Sequence, residues 1–129
     1  MLAQRFEDLI IWRDSQDIAY EIYLTTLDNS DFSFVDQIRR ASLSISNNIA
    51  EGFERGTRAE FIQFLGYAKG SCGEYRSQLY RAKDRFYLND EEFSNLYTKA
   101  ERISSMLQKF IEYLQRTTVE GVRKKNLKP

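Results

Sequence analysis

Thr57-Arg58-Ala59-Glu60-Phe61-Ile62-Gln63-Phe64-Leu65-Gly66-Tyr67-Ala68-Lys69-Gly70-Ser71-Cys72-Gly73-Glu74-Tyr75 is the stretch that decides the fold. Its apolar residues Phe61, Leu65, Ala68, Cys72 and Tyr75 recur at steps of four and three, and Leu79, Ala82 and Phe86 continue the series. That spacing draws one stripe along an α-helix, the seam that faces partner helices. Thr57 and Glu60 form a capping-box pattern at its start, with the Thr hydroxyl accepting from the Glu60 N–H while the Glu reaches back. From Thr57 to Phe86 such a helix spans roughly 45 Å.

The following segment has the same period. Phe93, Leu96, Ala100, Ile103, Leu107, Phe110 and Leu114 predict a fourth helix, opened by the cap and acidic first turn of Asn89-Asp90-Glu91-Glu92. Only Tyr87 and Leu88 separate the two runs, so these helices are antiparallel neighbours. Upstream, Ile38, Ala41, Ile45 and Ile49 line a second helix that begins near Ser33, with Asp36 three residues on, and ends around Gly52. Gly56 closes its link to the third helix. A first helix runs from about Asp8 to Leu27, with Ile11, Trp12, Ile18, Ala19, Ile22 and Tyr23 on its buried side, and Asp28-Asn29-Ser30-Asp31 is its loop. The expected fold is all-α: an antiparallel, up-down-up-down four-helix bundle over residues 1–117. A basic tail over residues 118–129 has little to bury, and is expected to be disordered.

The bulk of the chain agrees. Its 129 residues suit one domain, and Pro129 is the sole proline, so long helices run uninterrupted. Cys72 is the sole cysteine, which leaves no intrachain disulfide and no Cys-based zinc site and fits a reducing compartment. The longest apolar run near the N-terminus, Leu9-Ile10-Ile11-Trp12, is too short for a signal peptide or a membrane span. A cytoplasmic protein with no membrane partner is expected.

The composition narrows the chemistry. Histidine is absent, which removes His-based triads, His general bases and His metal ligands, including the Glu-x-x-His pairs of di-iron bundles. No phosphate-binding Gly loop is present. Glu51, Glu54, Glu60 and Glu74 read as surface charges or partners for Arg, and Cys72 on the seam reads as a small buried hydrophobe. No catalytic residue, cofactor, metal or small-molecule substrate is expected.

Four features remain. Gly66, Gly70 and Gly73 share one stripe of the third helix, each at a cost of roughly 1 kcal/mol against Ala. The stripe fits either tight packing inside the bundle or a close contact between subunits. Phe64, Tyr67, Tyr80, Tyr97 and Tyr113 lie off the main seams, which points to a second buried interface. Arg39 or Arg40, with Ser44, Asn48 and Glu51, makes a polar stripe on the second helix, to which Glu74 is a candidate partner. It reads either as a solvated face or as a structural network tying that helix to a neighbour. The zero net charge is a cancellation: residues 1–36 hold eight acids and two bases, and residues 37–129 seventeen bases and eleven acids. Solvated helix faces, complementary subunit patches and a basic surface for a polyanion all fit that split. The possible RNA contacts are Arg76, Arg81, Lys83 and Arg85 on the third helix and Arg123, Lys124, Lys125 and Lys128 in the tail.

The second helix also carries a resemblance. Gln37-Ile38-Arg39-Arg40-Ala41-Ser42-Leu43-Ser44-Ile45-Ser46-Asn47-Asn48-Ile49-Ala50-Glu51-Gly52 resembles the signature of the bacterial four-helix bundle family known as the 23S rRNA intervening sequence proteins. Phe6-Glu7-Asp8-Leu9-Ile10-Ile11-Trp12, Glu60 to Leu65, Ala68 to Ser71 and Glu74 match as well, so the resemblance covers most of residues 6–114. It implies a ring-like homopentamer, and kinship with the accessory variability protein of diversity-generating retroelements, which binds a reverse transcriptase and RNA. The chain departs from the family in its first loop, Asp28 to Phe32, where members carry Pro, and in its neutral charge, where the RNA-handling kin are basic. Together these readings predict a non-enzymatic oligomeric scaffold or adaptor for a protein or RNA partner. The alternative is direct, weak, sequence-independent binding of structured ribosomal RNA.

Overall fold

Four α-helices follow a single 3-10 turn in the computed structural model, which describes residues 3–117. The turn spans Phe6–Asp8, α1 Ile10–Thr25, α2 Phe32–Glu54, α3 Arg58–Asp84 and α4 Asp90–Arg116. Each helix packs on the next, and α1 closes the circuit against α4, giving an antiparallel four-helix bundle. The seams meet along the axis. Phe61, Leu65, Ala68, Cys72, Tyr75, Leu79 and Ala82 of α3 are all buried, as are Ile38, Ala41, Ile45 and Ile49 of α2 and Leu96, Ala100, Ile103, Leu107 and Leu114 of α4. α1 adds Ile11, Ile18, Ala19 and Ile22. Its start is later than expected, because Leu9 is drawn fully into the core and separates the helix from the 3-10 turn. Tyr23, expected on the buried side, is about half exposed, and Trp12 is half-buried with its ring edge-on to Phe6 at 5.1 Å.

The caps explain where helices begin. α2 starts from Asp31, not Ser33: the Asp31 carboxylate accepts the Phe34 N–H at 3.3 Å. Thr57 caps α3 by accepting from the Glu60 N–H at 3.2 Å, but Glu60 takes the Thr57 hydroxyl at 3.0 Å instead of its backbone N–H. Asn89 and Glu92 form a full reciprocal box on α4, at 2.7 and 2.9 Å.

Two helix ends differ from the sequence reading. α2 does not stop at Gly52 but continues to Glu54, and Gly52 is buried inside it against Phe61 and Phe64 of α3. The turn falls instead at Gly56, whose φ of 86° lies in the left-handed region. α3 stops at Asp84, before Phe86. Phe86 takes the left-handed position just past the helix, with φ of 62°, and 94% of its surface is exposed. The Tyr87 N–H donates to the Ala82 carbonyl at 2.9 Å and the Phe86 N–H to the Lys83 carbonyl at 3.1 Å, the Schellman arrangement in which glycine is usual.

Candidate functional site

The polar stripe of α2 resolves into separate local arrangements. Arg39 crosses to the C-terminal end of α1: its Nε donates to Thr26 Oγ1 at 2.9 Å, another guanidinium N–H donates to the Tyr23 carbonyl at 3.3 Å, and the guanidinium lies 4.6 Å over the Tyr23 ring. Arg40 does not pair across helices with Glu51 or Glu74. It pairs with Asp36 at 2.9 Å on the same helix, and its side chain is 78% exposed. The reason is register, since Asp36 lies one turn back on the same solvated face. Ser44 meets Ser71 of α3 at 2.8 Å, and the Asn48 amide donates back to the Ser44 carbonyl at 2.8 Å and its hydroxyl at 3.0 Å. Glu51 binds Arg55 at 2.9 Å, and Arg55 also reaches Glu60 at 3.4 Å. Glu74 is exposed on α3, apart from all of these.

The glycine stripe does not pack inside the chain. A Cβ built on Gly66 or Gly70 meets no atom within 4 Å, and one on Gly73 meets only the Arg76 guanidinium at 3.8 Å. The stripe opens outward, between the half-exposed rings of Tyr67 and Tyr80. Part of the off-seam aromatic set is satisfied internally. Tyr80 lies on Phe93 at 5.1 Å and on Tyr97 at 5.2 Å, and Phe64 meets Tyr67 at 5.3 Å. A second exposed apolar face runs along α1 and α2 through Tyr20, Tyr23, Leu24 and Leu43. Sequence periodicity missed it, because these residues continue the apolar stripes around the helices past the edge of the core.

The charge split is partly neutralised within the chain. Glu21 of α1 binds Lys99 of α4 at 2.8 Å, Asp14 stands 4.0 Å from Arg102, and Asp31 holds Arg85 at 3.1 Å. Of the four cations expected on the third helix for RNA, Arg85 falls just past its end, and three are engaged: Arg81 with the Gln78 side chain at 2.7 Å, Lys83 over the Phe93 ring at 4.7 Å, and Arg85 with Asp31. Arg76 has its Nε buried without a partner and lies in the groove between α3 and α4 with Lys69, Ser104 and Lys109. Arg123, Lys124, Lys125 and Lys128 lie outside the described residues.

The titratable core groups are packing groups in form. Cys72 is fully buried, donates to the Ala100 carbonyl at 3.2 Å, and burial pushes its thiol up to about 11. Tyr75 is equally buried, its hydroxyl has no hydrogen-bond partner, and burial raises its pKa well above the usual phenol range. Among the described residues, no group of three or more His, Cys, Asp or Glu side chains is placed to hold a metal ion, and no helix is long and apolar enough to cross a membrane.

The fold has a solved counterpart. A crystal structure of a protein of unknown function from the S23 ribosomal protein family of Bacteroides thetaiotaomicron superposes with a TM-score of 0.75 at 24% identity, covering 80% of this chain and 99% of that one. No curated protein matches the chain. The profile of the 23S rRNA-intervening sequence proteins matches residues 7–109, a span that runs from the 3-10 turn into the last turns of α4. That span takes in the α2 signature and most of the bundle, and the chain belongs to the 23S rRNA-intervening sequence protein family.

Proposed function

We propose that this protein is a non-enzymatic homo-oligomeric scaffold whose subunits meet through the glycine stripe of α3. The reading is carried by one observation: Gly66 and Gly70 sit in a helix interior, where each costs roughly 1 kcal/mol, yet among the described residues no atom uses the space they leave. A second chain that packs its backbone or an aromatic ring into that space supplies the missing reason. The exposed α1–α2 face of Tyr20, Tyr23, Leu24 and Leu43 is a different patch, so two unlike surfaces are available for a head-to-tail contact that closes into a ring. The resemblance of the α2 signature suggests five subunits. Sedimentation velocity at low and high salt is the test. An assembly held by apolar surface keeps its mass as salt rises, whereas a sedimenting monomer in both conditions would remove the proposal.

A second reading is weak binding of structured ribosomal RNA, which draws on the family description and on Arg76, Lys69 and Lys109 in the α3–α4 groove, where they outnumber Glu101 and Glu112 by one. A ring repeats that small patch in every subunit and multiplies a poor single-site affinity. Titration with structured ribosomal RNA at low and physiological salt tests it, and absence of binding at low salt would eliminate it.

A further inference from the structure

One end of the bundle displays apolar side chains that none of the described residues covers. The α1–α2 loop and the α3–α4 loop meet there: Asp31 accepts the Tyr87 hydroxyl at 2.7 Å and the Arg85 guanidinium at 3.1 Å, and Phe34 packs on Tyr87 at 5.1 Å. Phe32 follows Asp31 and Phe86 lies between Arg85 and Tyr87 in the chain, so both exposed residues belong to this junction, with Leu27 on the turn that leads into it. Phe32 is 78% exposed and Phe86 94%. Phe86 is doubly unfavourable where it stands. Its ring is in water, and its backbone occupies the left-handed position that glycine adopts freely. The left-handed position itself is the ordinary end of a capped helix; the large exposed ring placed there is what calls for a partner.

The surroundings select the occupant. Among the described residues, no ion pair neutralises the exposed carboxylates of Asp28, Asp84, Asp90 and Glu91, whereas Arg85 and Arg40 are neutralised by Asp31 and Asp36, and Lys83, Arg39 and Arg81 keep their charge against a ring, uncharged oxygens and an amide. The unpaired carboxylates outnumber the unpaired cations, so the charge of this end is net negative. It repels the phosphates of RNA, and it repels the same end of another copy. It attracts a cationic segment that also carries apolar side chains.

Residues 118–129 have that chemistry, with Arg123, Lys124, Lys125 and Lys128 interleaved with Val122 and Leu127. The segment leaves α4 at the opposite end of the bundle, where Arg58 at the start of α3 donates to the Thr117 carbonyl. The 27 residues of α4 set the two ends about 40 Å apart. Lys125 lies nine residues past Arg116 and reaches at most about 32 Å even fully extended. A subunit's own Arg123, Lys124 and Lys125 therefore fall short of its own Phe86. We propose that the Phe32–Phe86 end of one copy binds the basic 118–129 segment of a second copy, an end-on contact separate from the lateral contact through the glycine stripe.

The experiment uses the full chain with Arg123→Glu, Lys124→Glu and Lys125→Glu, so that its own segment does not compete, and a fluorescent peptide of residues 118–129 as the probe. Saturable binding is expected at low salt, falling severalfold at physiological salt. Phe86→Gly in the receptor is expected to weaken it roughly tenfold while raising the melting temperature, which excludes unfolding as the cause. A peptide with Val122→Ser and Leu127→Ser, which keeps the charge, is expected to bind roughly tenfold more weakly as well. No saturable binding at low salt, or affinity unchanged by Phe86→Gly, would overturn the proposal. Neither result bears on the lateral assembly, which the receptor's own mass reports.

Discussion

Gly52 of α2 lies so close to Phe64 of α3 that a Cβ at position 52 would stand 2.5 Å from the Phe64 Cβ. The same atom would come within 3.2 Å of the Phe61 ring. The two helices are therefore in close contact here, next to the tight turn at Gly56 that joins them.

Gly52→Ala is therefore expected to destabilise the bundle. The clash is with an atom anchored to the α3 backbone, so the helices themselves must separate. Overpacking costs about 1–3 kcal/mol and the better helix propensity of Ala returns at most about 1 kcal/mol. A net loss of about 1–2 kcal/mol follows. Thermal denaturation of the variant reads it directly, and an unchanged or higher melting temperature would mean that the helices are not held at this distance.

Arg39 and Arg40 are expected to part company. Arg39→Ala removes two hydrogen bonds and a ring contact between α2 and the end of α1. It also strands the Thr26 hydroxyl's acceptor site, for a loss of about 1–2 kcal/mol. Arg40→Ala removes an exposed pair within one helix, worth at most about 0.5 kcal/mol. Urea denaturation of both variants should show only the first shifted. Equal losses would indicate that Arg40 is buried in an assembly contact.

How much of this was legible in the sequence follows the physics of each element. The α3 and α4 seams were readable residue by residue, because one face of a helix in a bundle must be apolar and the period is fixed. Gly52 was not. A glycine near an expected helix end reads as a terminator, and only a contact made 12 residues later in the chain explains it. Phe86 continued the α3 period, yet the helix ends two residues earlier, and periodicity carries no information about where backbone hydrogen bonds stop. Within the α2 stripe, Arg39 does tie the helix to α1, and the expected cross-helix pairing of Arg40 failed for a third reason. Sequence spacing places Arg40 on a face but does not say which neighbouring helix or solvent that face meets, and Asp36, one turn back, took it. The glycine stripe was legible as a stripe, and only the packing shows that none of the described residues fills it.

Asp31 ties the fold to pH. The Tyr87 hydroxyl, the Phe34 N–H and the Arg85 guanidinium all favour its carboxylate and hold its pKa below the ordinary 3.8. A depressed folded-state pKa gives stability that is fully present above about 3.8 and is lost as pH falls through the lower folded value. Asp31→Asn should therefore lower stability near neutral pH and flatten its decline in acid. Parallel stability profiles for wild type and variant below pH 5 would exclude this linkage.

The central claim is that the outward glycine stripe of α3 is a subunit contact, and light scattering on the full chain beside the Gly66→Ala, Gly70→Ala double variant tests it most directly. An isolated chain has room for both methyl groups and gains up to about 1 kcal/mol from each in helix propensity. In an assembly packed against the stripe, the same methyl groups intrude. The wild type is expected to scatter at a multiple of 15.3 kDa, near five copies, and the double variant at a lower mass. A wild-type mass of 15.3 kDa, or a double variant that assembles like the wild type, would contradict the account.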